Sequence, residues 1–151
     1  MRLDDVLAPL LATATRVAAY WAVGTEPSVT VQPGWLLPVV TSDWDLDWSA
    51  YDGELVGARG LREPTGPRLG VHAVAECDLV IVPALLVDRS GARLGKGGGC
   101  YDRALPRATG LTVALVHDHE LVDTLPTEPH DVRVAAVATP SLGVLRLPTK
   151  M

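Results

Sequence analysis

The sequence predicts a three-layer α/β/α fold with a mostly parallel sheet, and three observations carry the prediction. Short, near-continuous apolar runs recur along the chain, as strands buried on both faces require. Stretches of helical character alternate with the later runs, the order that builds parallel sheets. The 151 residues are 48% hydrophobic and 21% charged, which suits one globular core and not a disordered chain. A single domain over residues 1–151 is expected.

Leu3, Val6, Leu7, Leu10, Leu11 and Ala14 recur at helical spacing, so the N-terminal segment reads as an amphipathic helix with Pro9 as the dissenting residue. The apolar runs 17–23, 36–40, 79–86, 112–117 and 132–138 read as strands. The segments 101–108 and 120–125 read as helices between the later ones. The link from 23 to 36 contains Gly24, Pro27, Pro33 and Gly34, which leaves a crossover helix cramped. Residues 41–70, polar and rich in Trp, Gly and Pro, read as a long surface excursion, a kind of loop that often carries function. Residues 145–151 read as a tail.

A formal charge of −5 with no Lys/Arg stripe argues against a nucleic-acid surface. Cys77 and Cys100 lie outside any paired metal spacing, and these residues contain no secretory h-region or apolar run of about 18 residues. A reducing cytoplasm and no membrane partner are therefore expected.

The chemistry concentrates between residues 88 and 103, DRSGARLGKGGGCYDR. The order is strand, glycine loop, helix. Glycines at 95, 97, 98 and 99 permit positive φ and close approach of backbone N–H groups to an anion, and a helix start adds partial positive charge. Arg93 and Lys96 supply cationic side chains. Asp102 stands where a hard divalent cation bridging phosphates could be held. A glycine cluster alone is equally a surface turn with solvated charges. The loop is no Walker motif, because Gly97 follows the lysine where Ser or Thr is required, and it lacks the third glycine of the dinucleotide fingerprint.

Other candidates carry less. His117 and His119 flank Asp118 after a strand, without a convincing third metal ligand. Trp35, Trp44 and Trp48 either border a ligand pocket or cover the core edge, with the second reading favoured. Cys100 near a helix start has a favoured thiolate, but no base accompanies it.

The run 78–88, DLVIVPALLVD, followed by 91–103, GARLGKGGGCYDR, is similar to the signature of 5-formyltetrahydrofolate cyclo-ligases. GTEP at 24–27, LREP at 61–64 and LPTEPHD at 125–131 extend the resemblance. The resemblance implies a NagB/RpiA/CoA-transferase-like fold with a reduced N-terminal part. It implies ATP- and magnesium-dependent conversion of 5-formyltetrahydrofolate to 5,10-methenyltetrahydrofolate, in which the formyl oxygen attacks the γ-phosphate, N10 closes the ring and phosphate leaves. Carried over, Arg93, Leu94, Gly95, Lys96, Gly97, Gly98, Gly99, Cys100 and Tyr101 would hold the nucleotide, with Arg93, Lys96 and Tyr101 as the catalytic group. Glu26 would contact the pterin, or else be a turn carboxylate, and Tyr101 would also border the folate. Asp102 and Asp131 would bind Mg2+, with His130 a loop neighbour of Asp131.

Three departures accompany the resemblance. Cys100 stands where the family has Tyr. The family's earlier helix with its Lys-x-x-x-Arg-like pattern finds only Arg2 and Arg16 as poor substitutes. The helix between the first two strands has no room. A folded relative that binds nucleotide or folate without turnover is therefore the second reading.

Overall fold

The computed structural model describes residues 2–58, 60–96, 98–128 and 131–148; the predicted nucleotide residue Gly97 and the loop histidine His130 lie outside them. The first helix, α1, spans Leu3–Thr13 with Pro9 inside it. Leu3, Val6 and Leu7 are buried whereas Pro9 is exposed, so packing of one face outweighs the poor helix propensity of the other. In chain order the strands are β1 (Val17–Ala18), β2 (Leu36–Val40), β3 (Leu46–Ala50), β4 (Leu55–Ala58), β5 (Leu61–Pro64), β6 (Leu79–Pro83), β7 (Leu86–Asp88), β8 (Arg93–Leu94), β9 (Leu111–Leu115), β10 (Leu121–Val122), β11 (Ala136–Thr139) and β12 (Gly143–Arg146). A second helix, α2, covers Cys100–Ala104.

Seven strands form the main sheet in the order β12-β11-β9-β6-β1-β2-β3. The pairs β11–β9, β9–β6, β6–β1 and β1–β2 are parallel, and antiparallel β12 and β3 close the two edges. Along β6, Leu79 and Ile81 join the cluster with α1, while Val80 and Val82 join the opposite cluster with Trp48, Val87 and Leu105. Both faces are thus buried, as the continuous apolar run predicts. The mostly parallel α/β architecture agrees with the sequence expectation. One covering layer is α1. The other is mixed, built from α2, short 3-10 turns and the small sheet β10-β7-β8.

The element boundaries differ from expectation in several places. The predicted strand 79–86 divides into β6 and β7, and 132–138 becomes regular only at Ala136. In the predicted 17–23 strand only Val17–Ala18 pair in the sheet. The predicted helix 120–125 is instead a 3-10 turn at Asp118–Glu120 running into β10. The region 41–70 is not a bare excursion. It carries β3 and the β4–β5 hairpin, and Trp48, 1% exposed, is the largest fully buried side chain. Part of the expected tail, Leu145–Arg146, belongs to β12. The link 23–36 is free of helix. Cys77 is buried and Cys100 half-buried, neither in a disulfide, and burial pushes the Cys77 thiol up to about 11, the state of a packed apolar residue. Among the described residues no helix is long and apolar enough to cross a membrane.

Candidate active site

The site follows from the strand order. Sequence order runs outward from the β6–β1 pair in both directions, so the chains leaving the carboxyl ends of β1 and β6 diverge and leave a crevice, the favoured ligand position in open α/β sheets. The segment after β1 brings Glu26. The segment after β6 brings the β7–β8 hairpin and the glycine loop.

Asp88, at the end of β7, builds the hairpin. It is 2% exposed. Its Oδ1 accepts from Ser90 N (2.8 Å), Ser90 Oγ (2.7 Å) and Ala92 N (3.1 Å), and Oδ2 accepts from Leu125 N (2.9 Å). Burial alone would raise its pKa. The Ser90, Leu125 and Ala92 donors outweigh that and hold the carboxyl below its usual value. Gly91 completes the turn at φ +91, and a Cβ there would lie 2.3 Å from the Val134 carbonyl oxygen. Gly91→Ala is therefore expected to destabilise the fold by about 2–4 kcal/mol, read as a lowered urea midpoint at unchanged slope.

The turn delivers Arg93 on β8. Its side chain is 6% exposed, with Nε donating to Pro83 O at the carboxyl end of β6 (3.1 Å) and the guanidinium 5.4 Å from the centre of the Tyr101 ring. Nη1 lies 3.8 Å from Asp102 Oδ1. Burial lowers the pKa of Arg93, with Tyr101 and Asp102 acting the other way. Gly95 permits this arrangement, since a Cβ there would meet Arg93 Nη2 at 2.8 Å. The Tyr101 hydroxyl is buried with no hydrogen-bond partner among the described residues, and burial raises its pKa above the ordinary tyrosine value. A buried orphan hydroxyl, on a ring that a fixed guanidinium overlies, is a ready contact for a polar ligand.

Glu26 and Lys96 join the two sides of the crevice. Lys96 Nζ is 3.2 Å from Glu26 Oε2, and Glu26 Oε1 accepts from Val23 N at 2.8 Å. A cleft of about 310 Å³ opens beside Glu26, walled by Arg2, Asp4, Thr30, His117 and Pro140 and by none of Arg93, Lys96, Tyr101 or Asp102. The structure thus brings Glu26, Arg93, Lys96, Tyr101 and Asp102 into one connected region.

The remaining candidates fall as follows. Leu94 lies in β8, its backbone oxygen accepting from Leu85 N at 2.8 Å. Gly99, at φ +74, caps α2, which is a single turn and continues as a 3-10 turn at Leu105–Arg107, shorter than the predicted helix 101–108. Its dipole contribution is correspondingly small. Cys100 opens α2, half-buried. Gly98 lies under the indole of Trp44, 3.5 Å from the position of an added Cβ. Arg103 Nη1 donates to both Gly98 O (3.1 Å) and Trp44 O (3.3 Å). Arg103 has a role that the sequence reading did not assign; its place inside the 88–103 motif was the available signal. Trp35 and Trp48 pack with the core clusters, and half-exposed Trp44 sits beside the loop. Asp131 Oδ2 accepts from Glu128 N at 2.7 Å. His117 and His119 are stacked at 6.1 Å, and among the described residues no three His, Cys, Asp or Glu converge as a metal cage.

A mostly parallel sheet with the Lys96–Glu26 pair across its switch point has the layout of α/β proteins that take ligands at the carboxyl ends of their strands. The chain belongs to the 5-formyltetrahydrofolate cyclo-ligase family, an ATP-dependent enzyme family whose model matches residues 6–140. It is 45% identical over 148 residues to a 5-formyltetrahydrofolate cyclo-ligase of Mycolicibacterium smegmatis, covering 87% of this chain and 76% of that one. Its structure is similar to that of a 5,10-methenyltetrahydrofolate synthetase of Aquifex aeolicus, with TM-score 0.76 and 27% identity over 99% of this chain and 83% of that one. A synthetase of Mycoplasma pneumoniae shares the fold at TM-score 0.67 and 18% identity, over 90% of this chain and 83% of that one.

Proposed function

We propose that the chain catalyses the ATP-dependent cyclisation of 5-formyltetrahydrofolate to 5,10-methenyltetrahydrofolate, with release of ADP and phosphate, in the crevice between Glu26 and the glycine loop of its cyclo-ligase-like domain. The observation that carries the proposal is the 3.2 Å contact of Lys96 with Glu26. It puts a cation suited to phosphate within reach of a carboxylate suited to the amino-pyrimidine edge of a pterin, which is what transfer of a phosphoryl group onto a folate formyl oxygen requires.

In this reading Arg93 and Lys96 stabilise charge on the transferring phosphoryl group, with the backbone of residues 94–100 as donors. The fixed Arg93 Nε–Pro83 bond means that the guanidinium needs little reorganisation. Tyr101 offers its hydroxyl between nucleotide and folate. The donor set also fits Mg2+. Asp102 presents a hard oxygen beside Arg93, and a magnesium held by one or two carboxylates plus phosphates and water needs no preformed cage. Asp131 is the second proposed carboxylate. Magnesium would neutralise phosphate charge as the bond to ADP breaks.

Purified protein given ATP, Mg2+ and 5-formyltetrahydrofolate should generate the absorbance of the methenyl product. Nucleotide binding without that product would favour a binding protein without turnover. Glu26→Gln separates the two half-sites. The KM for 5-formyltetrahydrofolate should rise about tenfold or more for loss of a charge-assisted contact. ATP affinity should stay within about fivefold, because Lys96 is largely exposed and its ion pair is worth little.

A further inference from the structure

We infer that His117 is a positioning residue for the substrate carboxylate Glu26, an inference that rests on the folate role proposed for Glu26. Glu26 lies in a turn whose flanking carbonyls are both held from outside. Tyr20 Oη, buried, donates to Pro27 O at 2.5 Å. His117 Nε2 lies 2.7 Å from Thr25 O across a sequence separation of 92 residues. A carbonyl oxygen only accepts, so Nε2 carries the proton. The histidine is set in turn by its own chain: His117 N donates to Glu120 Oε1 at 2.7 Å, and its ring stacks on His119 with planes 3° apart.

This bond ties the segment after β9 to the segment after β1, passing over the carboxyl end of β6, which lies between those strands in the sheet. The residue therefore links the carboxyl-end segments of strands on either side of β6. It also lines the cleft that Glu26 lines. Glu26 Oε1 is oriented locally by Val23 N, and that local bond fixes the carboxylate relative to its own turn. The His117 and Tyr20 bonds fix the turn relative to the sheet. Tyr20 does so from inside the core, where its removal would disturb packing. His117 does so from a half-buried position, so its contribution is separable from the fold. No step of the reaction is asked of its imidazole.

The test compares His117→Leu, which keeps bulk without a donor, with His117→Gln, whose side-chain N–H can reach the Thr25 carbonyl. His117→Leu should raise the KM for 5-formyltetrahydrofolate about fivefold, the worth of one hydrogen bond. Its kcat and its KM for ATP should stay within about twofold on the same scale. His117→Gln should return most of the lost affinity. A merely structural role would move all three parameters, or none, and would not be rescued by an amide donor. An unchanged folate KM in His117→Leu, at a melting temperature equal to wild type, would overturn the inference. So would a Gln variant as impaired as Leu. Glu26→Gln is the control: if it raises the folate KM and His117→Leu does not, the positioning inference alone fails. If Glu26→Gln leaves that KM unchanged, the folate role of Glu26 is wrong and the inference goes with it.

Discussion

Replacing Arg93 by alanine is expected to lower kcat for methenyl formation by about 10²–10³-fold, the usual loss for one preorganised group facing developing charge. The expectation follows from how the side chain is held. Nε is committed to Pro83 O, the guanidinium lies over Tyr101, and Gly95 leaves room that any Cβ would take. The charge is buried and therefore weakly screened. Lysine at the same position keeps the charge and loses the planar fork that anchors it, so Arg93→Lys should fall between wild type and alanine. Initial rates with melting curves on the same samples check this. Full turnover by a folded alanine variant would remove Arg93 from the catalytic group.

Asp88→Asn is expected to cost about 2–4 kcal/mol of stability, because an NH2 group then faces backbone N–H donors that had accepting oxygens, and the charge assisting four bonds is gone. The consequence reaches the site, since the turn that Asp88 ties delivers Arg93. The pH dependence has a definite sign. The folded-state pKa of Asp88 lies below its usual value, so its stabilisation is present in full above about pH 5. It is lost as pH falls through the unfolded value near ~3.9 toward the folded one. Urea midpoints measured from pH 7 down to 3 should fall for wild type over that window. The Asn variant should begin lower and lose less, and parallel curves for the two would contradict the assignment.

What could be read from the sequence was what local patterns encode. The run 79–86 announced a strand covered on both faces, which holds for its first part, β6, and the glycines at 95, 97, 98 and 99 announced a loop where side chains or ligands approach closely. The Asp88-x-Ser90-Gly91 order is itself a turn signature, so the staple was legible in principle. Trp48 was not. Its strand reads Leu46-Asp-Trp-Ser-Ala50, where polar neighbours on an edge strand mask a buried face. Residues 120–125 misled for a different reason: Leu121, Val122 and Leu125 fit helical spacing over six residues, too few to distinguish a turn followed by a short strand. Contacts made by topology left no local mark. Lys96 meets Glu26, and His117 meets Thr25, only because the sheet places the ends of β1, β6 and β9 together. Glu26 was reached through family resemblance, and His117 through the structure.

The most direct test of the account is one assay that counts both products, methenyl compound by absorbance and inorganic phosphate, after mixing the protein with ATP, Mg2+ and 5-formyltetrahydrofolate. Phosphoryl transfer onto the folate predicts one phosphate per methenyl group, no methenyl without ATP, and no phosphate without folate. Phosphate released at the same rate without folate, or methenyl formed at the same rate without ATP, would contradict it.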